Sequence, residues 1–172
     1  MKKILKPAFF NRSTPMVAED LIGKFLVRES RGKRCAYMIT ETEAYDGFED
    51  TASQAHRGKT KRNHVMFAEA GTIYVYLTYG MHCMLNLIAG PQEYPAGVLI
   101  RGVAEVSGPG RLTKALKITR ALNTKKLGTA TGLWVEDRGV VYTKKDIART
   151  PRVGINCEET WRLAPYRFIL VQ

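Results

Sequence analysis

Five carboxylates, Glu41, Glu43, Asp46, Glu49 and Asp50, fall within ten residues of this chain, and a run of cations, Arg57, Lys59, Lys61 and Arg62, follows at once. Most of these side chains read as a solvated charged loop. Glu41 and Glu43 differ, because they end an apolar strand-like run from Cys35 to Tyr45, where a carboxylate is costly unless it is paired or does chemistry. Glu43 is therefore the first candidate for a general base. Arg101 is a matching anomaly, a lone charge in the run Val98 to Val103. It either snorkels to the edge of its strand or points into a polar pocket. Beside a carboxylate it favours the ionised form that a general base needs.

The tip Tyr79-Gly80-Met81 lies between two apolar runs and carries an aromatic ring and a thioether, where soluble proteins usually place Asn, Asp or Gly. Exposed, these side chains would suit a wedge pushed into a base stack from the minor groove; folded back, they would belong to the core. Tyr45, Tyr74, Tyr76 and Tyr79 supply rings for stacking on bases, although strand aromatics equally build cores. Gly108-Pro109-Gly110-Arg111 offers free N–H groups and a guanidinium to a phosphate, and the basic loop offers Arg57, Lys59, Lys61 and Arg62 to others. His56, His64 and His82 have no metal-ligand spacing with one another or with a cysteine, so neither a metal nor a cofactor is expected.

Composition sets the frame for this chemistry. Lys and Arg number 27 against 16 Asp and Glu, a net charge of +11, which points to a polyanionic partner. The 172 residues, 45% hydrophobic and 25% charged, argue for one folded domain over residues 1–172 and against a disordered chain. No apolar run approaches the roughly 20 residues of a membrane span. The start, Met1 to Pro7, lacks the apolar core of a signal peptide. Three cysteines, Cys35, Cys83 and Cys157, suit neither a disulfide framework nor a zinc site, so a reducing cytoplasm is the expected setting.

The elements that position these residues can be read from pattern. Thr14-Pro15 reads as an N-cap followed by proline at the first helical position, opening a helix with Val17, Leu21 and Phe25 on one face. Gly32 allows a turn into the strand of residues 35–45, whose alternation puts Tyr37, Ile39, Glu41, Glu43 and Tyr45 on one side. Residues 46–63 read as a long polar loop. The runs Ile73 to Leu77 and Cys83 to Ala89, reversing at Gly80, read as a hairpin. A further strand, Val98 to Val103, precedes an amphipathic helix from about Arg111 to Leu122, with Leu112, Ala115, Leu116 and Leu122 on its apolar side. Trp134-Val135, Val140 to Tyr142, Val153 to Ile155 and Phe168 to Leu170 complete the set as short strands. The fold class is α+β, a single mixed domain with a curved, largely antiparallel β-sheet flanked by helices and a protruding β-hairpin.

Several runs, in order along nearly the whole chain, resemble the alkyladenine (3-methyladenine, N-methylpurine) DNA glycosylase family. They are Glu41-Thr42-Glu43-Ala44-Tyr45, Thr60-x-Arg62-Asn63, Met66-Phe67, and Gly71 to Tyr76 with Tyr79-Gly80-Met81 and Asn86. Val98 to Arg101, Gly108 to Leu112, Thr150 to Ile155 and Pro165 to Phe168 follow. The resemblance implies a monofunctional base-excision repair enzyme acting on double-stranded DNA with damaged purines such as 3-methyladenine, hypoxanthine or ethenoadenine. It implies that Glu43 activates the attacking water and that Arg101 holds both water and glutamate. Tyr45 and Tyr76 would sandwich the extruded base, Asn86 would screen its edge, and Tyr79 would fill the gap in the duplex with Met81 beside it. Thr60 and Arg111 match backbone-contacting positions.

One position departs from the family's pattern. Where the family usually carries a histidine that donates to the flipped base, this chain has Gln54, with His56 two residues on. Glutamine donates an N–H but cannot become cationic, which bears on lesion range more than on reaction type. Hydrolysis without strand cleavage is expected, by a monomer that needs no membrane and, in a prokaryote, works at the nucleoid. Two rivals remain: a non-catalytic nucleic-acid binder, and a metal-assisted nuclease built on Glu41, Glu43 and His56.

Overall fold

Antiparallel pairing organises the protein, which the computed structural model describes over residues 2–171. Along the chain come β1 (Lys3–Ile4), α1 (Pro7–Phe10), α2 (Thr14–Asp20), β2 (Phe25–Ser30), β3 (Lys33–Asp46), β4 (Ile73–Thr78) and β5 (His82–Ile88). They are followed by β6 (Ala96–Val103), β7 (Val106–Ser107), α3 (Pro109–Ala115), β8 (Leu133–Asp137), β9 (Ile147–Thr150), α4 (Glu159–Leu163) and β10 (Arg167–Leu170). The sheet runs β1-β8-β2-β3-β6-β5-β4 and stays open, with β10 on β3, β9 on β10 and β7 on β6. Every registered pair is antiparallel. The fold is therefore the mixed α+β class expected, and none of the described helices is long and apolar enough to cross a membrane.

The strand β3 carries the site. Its first half pairs with β2, and its second half pairs with β6 and, over Glu41–Glu43, with β10. The two candidate carboxylates thus lie on a stretch with a neighbouring strand at both edges. The pairing with β6 shifts register between Ile39 and Thr42, and this irregularity resets the alternation. Cys35, Tyr37 and Ile39 pack on the main core; beyond the irregularity Thr42 and Ala44 are the fully buried residues turned to α2 and that core. Tyr37 and Ile39 therefore do not share a face with Glu41, Glu43 and Tyr45, contrary to simple alternation.

Two apolar clusters hold the sheet. The larger packs α2 and α3 (Val17, Leu21, Leu112, Leu116) against Ile39, Ile73, Val75, Leu85 and Leu87. The smaller, on the other face, gathers Ala55, Val65, Met66, Phe67, Tyr74 and Ile88, with Tyr45 and Tyr76 against it. Alternation along β4 sends Ile73 and Val75 to the first and Tyr74 and Tyr76 to the second.

Element boundaries differ from the pattern in four places. The α2 helix follows Ser13 and ends at Asp20, so Thr14 is not its cap; the Thr14 hydroxyl donates to Asp46 Oδ1 at 2.7 Å instead. Gly23, at φ +83° with the Tyr142 ring 2.7 Å from where a Cβ would sit, turns the chain, and Phe25 opens β2 rather than closing a helix face. The α3 helix stops at Ala115, because Lys117 takes a left-handed φ of 51°; Ala115 is exposed, while Leu112, Leu116 and Leu122 are buried. Val140 to Tyr142 and Val153 to Ile155 form no strand, whereas β9 forms where none was expected, as do the short β1, α1, β7 and α4.

Candidate active site

Glu41, Glu43 and Tyr45 project from the same face of β3, and the register of β6 brings Arg101 across to them. Glu41 is an anchor: its Oε1 accepts from Arg101 Nε at 3.0 Å and from Arg167 Nε at 2.7 Å. Glu43 has no exposed surface. A buried carboxylate is tolerated only when its lone pairs are satisfied, and here they are. Val153 N–H donates to Oε1 at 2.8 Å, the Tyr45 hydroxyl donates to Oε2 at 2.9 Å, and Arg101 Nη1 reaches Oε2 at 3.4 Å. Burial, and then the Glu43 charge beside it, push the Tyr45 phenol well above its ordinary range.

All three of those partners line a cavity of about 480 Å³, together with Gln54, Tyr76 and Asn86. Glu43 is not itself a lining residue and meets the cavity through these three partners. The volume falls within the roughly 300–1,000 Å³ of small-molecule sites. A larger cavity of about 560 Å³, walled by Leu5, Pro7, Phe10, Ala70 and Leu127, has only the Glu69–Lys126 ion pair for charge. Size alone therefore does not single out the candidate site; convergent polar groups do.

The aromatic floor is built by the hairpin. Tyr76 has the Tyr74 ring 5.3 Å away and the Arg62 guanidinium 5.8 Å from its centroid. Burial raises the Tyr74 phenol to about 12. It also raises Tyr76, partly opposed by the Arg62 charge and the Gln54 amide. Asn86 sits on β5 in register with Tyr74 and Leu99. At the tip, a three-residue loop between Thr78 and His82, Tyr79 and Gly80 both take left-handed φ values, 49° and 71°, and Met81 N–H closes the turn on Thr78 O at 3.2 Å. Tyr79 is 90% exposed and Met81 71%, so neither folds back onto the core.

Residues 47–63 are less solvated than their polarity suggests, since Asp50, Ser53, Ala55 and Asn63 are buried. Asn63 ties the loop: its Nδ2 donates to Gln54 O at 2.9 Å and Gly58 O at 3.0 Å, and its Oδ1 accepts from Thr60 N–H at 2.6 Å. This knot delivers Gln54 to the cavity. His56 is not brought there; its Nδ1 lies 2.8 Å from Ser53 O and its Nε2 accepts from Arg57. Nor do Glu41, Glu43 and His56 assemble into one donor set among the described residues.

The basic candidates divide. Arg57 and Arg111 are exposed. Lys59 is engaged by Glu93 at 3.2 Å and sits over the Phe67 ring. The Thr60 hydroxyl accepts from Asn63 N–H within the loop, and Arg62 donates to Leu77 O at the cavity wall. Residue-by-residue reading missed Asp50, Asn63, Arg152 and Val153. Asn63 stood in the run Thr60 to Asn63, and Arg152 and Val153 in the run Thr150 to Ile155, both of which carry the resemblance, but only the fold shows what they touch.

Known proteins bear on this geometry. The chain matches the family model described as methylpurine-DNA glycosylase over residues 8–107 and 104–172. It is 41% identical to a protein of Methanocella arvoryzae, over 96% of this chain and 91% of that one. It is 39% identical to one of Psychrobacter cryohalolentis, over 91% and 86%, and 40% identical to one of Myxococcus xanthus, over 95% and 88%. Each of the three carries the name "Putative 3-methyladenine DNA glycosylase".

Proposed function

The chain belongs to the methylpurine-DNA glycosylase family, and from that premise we propose that it starts base-excision repair by hydrolysing the N-glycosidic bond of a damaged purine swung out of duplex DNA. The protein is a DNA glycosylase by family, a hydrolase of N-glycosyl bonds; the substrate range and the residue roles are our reading. One observation carries it. A carboxylate without exposed surface, Glu43, is held by three donors that all line the same aromatic cavity.

Breaking the glycosidic bond builds positive charge on the deoxyribose, which a fixed carboxylate nearby stabilises. Glu43 takes a proton from water as the oxygen bonds to the sugar carbon, and the base departs with the electron pair of the broken bond. A purine alkylated at a ring nitrogen is cationic and leaves neutral; a neutral lesion must gain a proton as it leaves. Arg101 donates to Glu43, and because it also grips Glu41 it keeps one orientation. Tyr45 and Tyr76 offer ring faces to the base, which attract a cationic purine more than a normal one. Asn86 and Gln54 meet its edge. Tyr79, with Met81, enters the duplex in its place, and a damaged base costs less to unstack. Arg57, Lys59, Thr60, Arg62 and Arg111 serve the phosphates, with Arg62 also bracing Tyr76.

Attack by water rather than by an amine leaves the strand intact. A lesion panel read before and after alkali tests this. The expected product is an abasic site that breaks only on alkaline treatment, with EDTA present throughout. Strand nicking before alkali, or no base release from any lesion, contradicts it.

A further inference from the structure

Val153, Gly154, Ile155 and Asn156 wall one side of the cavity, yet among the described residues no backbone–backbone hydrogen bond ties residues 152–156 to the rest of the protein. Two contacts do the tying instead. One is Val153 N–H on Glu43 Oε1. The other is the Arg152 side chain, which meets Asp50 at two points, 2.6 and 2.8 Å, with neither side chain exposed. Arg152 Nη1 also donates to Ala44 O at 2.8 Å, and Nη2 to Trp161 O at 3.1 Å. The Asp50 carboxylate accepts in turn from the N–H groups of Asp46 and Ala52, at 3.0 and 3.1 Å. One guanidinium thus joins the end of β3, the loop after it, the cavity wall and α4. It also lies over the Tyr45 ring, 4.8 Å from its centroid.

Desolvating two full charges is seldom repaid by their attraction when apolar residues could fill the same space. Stability is thus a weak explanation of this pair. What a planar fork on a carboxylate does supply is direction. The direction matters here because both nearest partners of Glu43 are set by Arg152. Oε1 is held by the amide of the next residue, and Oε2 by the hydroxyl of the ring beneath the guanidinium.

We propose that Arg152, fixed by Asp50, is a positioning residue that aims the Glu43 carboxylate through the Val153 amide and the Tyr45 ring. The proposal rests on Glu43 being the base. Arg152 makes no hydrogen bond to Glu43 and is not itself a lining residue of the cavity; its links to the carboxylate are the Val153 amide and the Tyr45 ring.

Two variants test it. Arg152→Met combined with Asp50→Asn removes both charges together, so that neither charge is left buried without its counter-charge. Arg152→Lys keeps the charge but not the fork, and serves if the double variant fails to fold. Amide exchange at Val153, whose N–H is held by Glu43 Oε1, is measured beside the single-turnover rate of base release at saturating protein, on a duplex with one hypoxanthine. Exchange of that amide is expected to quicken while the sheet stays protected. The rate constant should fall on the order of 100-fold, the scale of a misplacement of about 1 Å, with duplex affinity near that of the unaltered protein. Lower stability alone leaves this rate constant unmoved, because only folded, bound protein turns over. An unchanged rate constant with quickened exchange overturns the positioning role, and unchanged exchange overturns the tether. Should the unaltered protein release no base, the glycosylase reading falls, and the exchange measurement still decides for or against the tether.

Discussion

The Tyr45 hydroxyl donates to Glu43 Oε2 at 2.9 Å although both side chains leave the same strand face only two positions apart. The ring proposed to stack on the base and the carboxylate proposed as the general base are thereby one hydrogen-bonded unit. Tyr45→Phe keeps the ring and removes the donor. A hydrogen bond to a charged group contributes about 1.5–3 kcal/mol, so the single-turnover rate should fall about 10- to 100-fold while affinity for damaged duplex holds. Equal loss of rate and affinity would separate the two roles again.

Gln54→His should shift the ratio of excision rates between hypoxanthine and ethenoadenine. Exchanging one neutral hydrogen bond at the base edge is an effect of about 1 kcal/mol, or roughly fivefold. Single-turnover rates on each lesion read this directly, and unchanged ratios would mean that residue 54 does not meet the base.

For DNA affinity, Arg57→Ala and Arg111→Ala should each lower the slope of log affinity against log salt by about 0.9, on damaged and undamaged duplex alike. Lys59→Ala should change the slope less, since Glu93 already neutralises Lys59. A loss confined to damaged duplex would contradict a phosphate role.

The hairpin tip makes a prediction separable from stability. Tyr79→Gly removes an exposed ring from a left-handed position that glycine takes without strain, so the melting temperature should hold or rise slightly. Base release from fully paired duplex should fall several-fold. Release from a lesion in a flexible single strand, which leaves no gap to fill, should hardly change.

Alkali should act through the floor of the cavity. Tyr74 is raised by burial to about 12 in the folded protein, against about 10 unfolded. The stability from keeping it neutral is complete below about pH 10 and is lost as pH rises from about 10 to about 12. Tyr74→Phe should flatten that loss, and phenolate absorbance should show Tyr74 ionising together with unfolding rather than before it.

Some of this was legible in the sequence for definite physical reasons. A carboxylate closing an apolar strand and a lone arginine in another are both costly, and the fold brings Glu43 and Arg101 within 3.4 Å. The antiparallel sheet and the hairpin follow from apolar runs punctuated by glycine. The Asp50–Arg152 pair was not legible, because its members are 102 residues apart and Asp50 hides in a run of carboxylates that otherwise reads as solvated. The register shift before Thr42 leaves no mark on composition. Val153 to Ile155 has the residue types of a strand, but those residues close over a cavity instead.

The central claim is that the Glu43 carboxylate drives base release, and Glu43→Gln tests it most directly. The substitution keeps the shape and removes the charge. Single-turnover release from a damaged duplex should fall by at least about 1,000-fold, the scale of losing both general-base and electrostatic help, while the duplex is still bound. Near-normal release by Glu43→Gln, or release and binding lost together, would contradict the account.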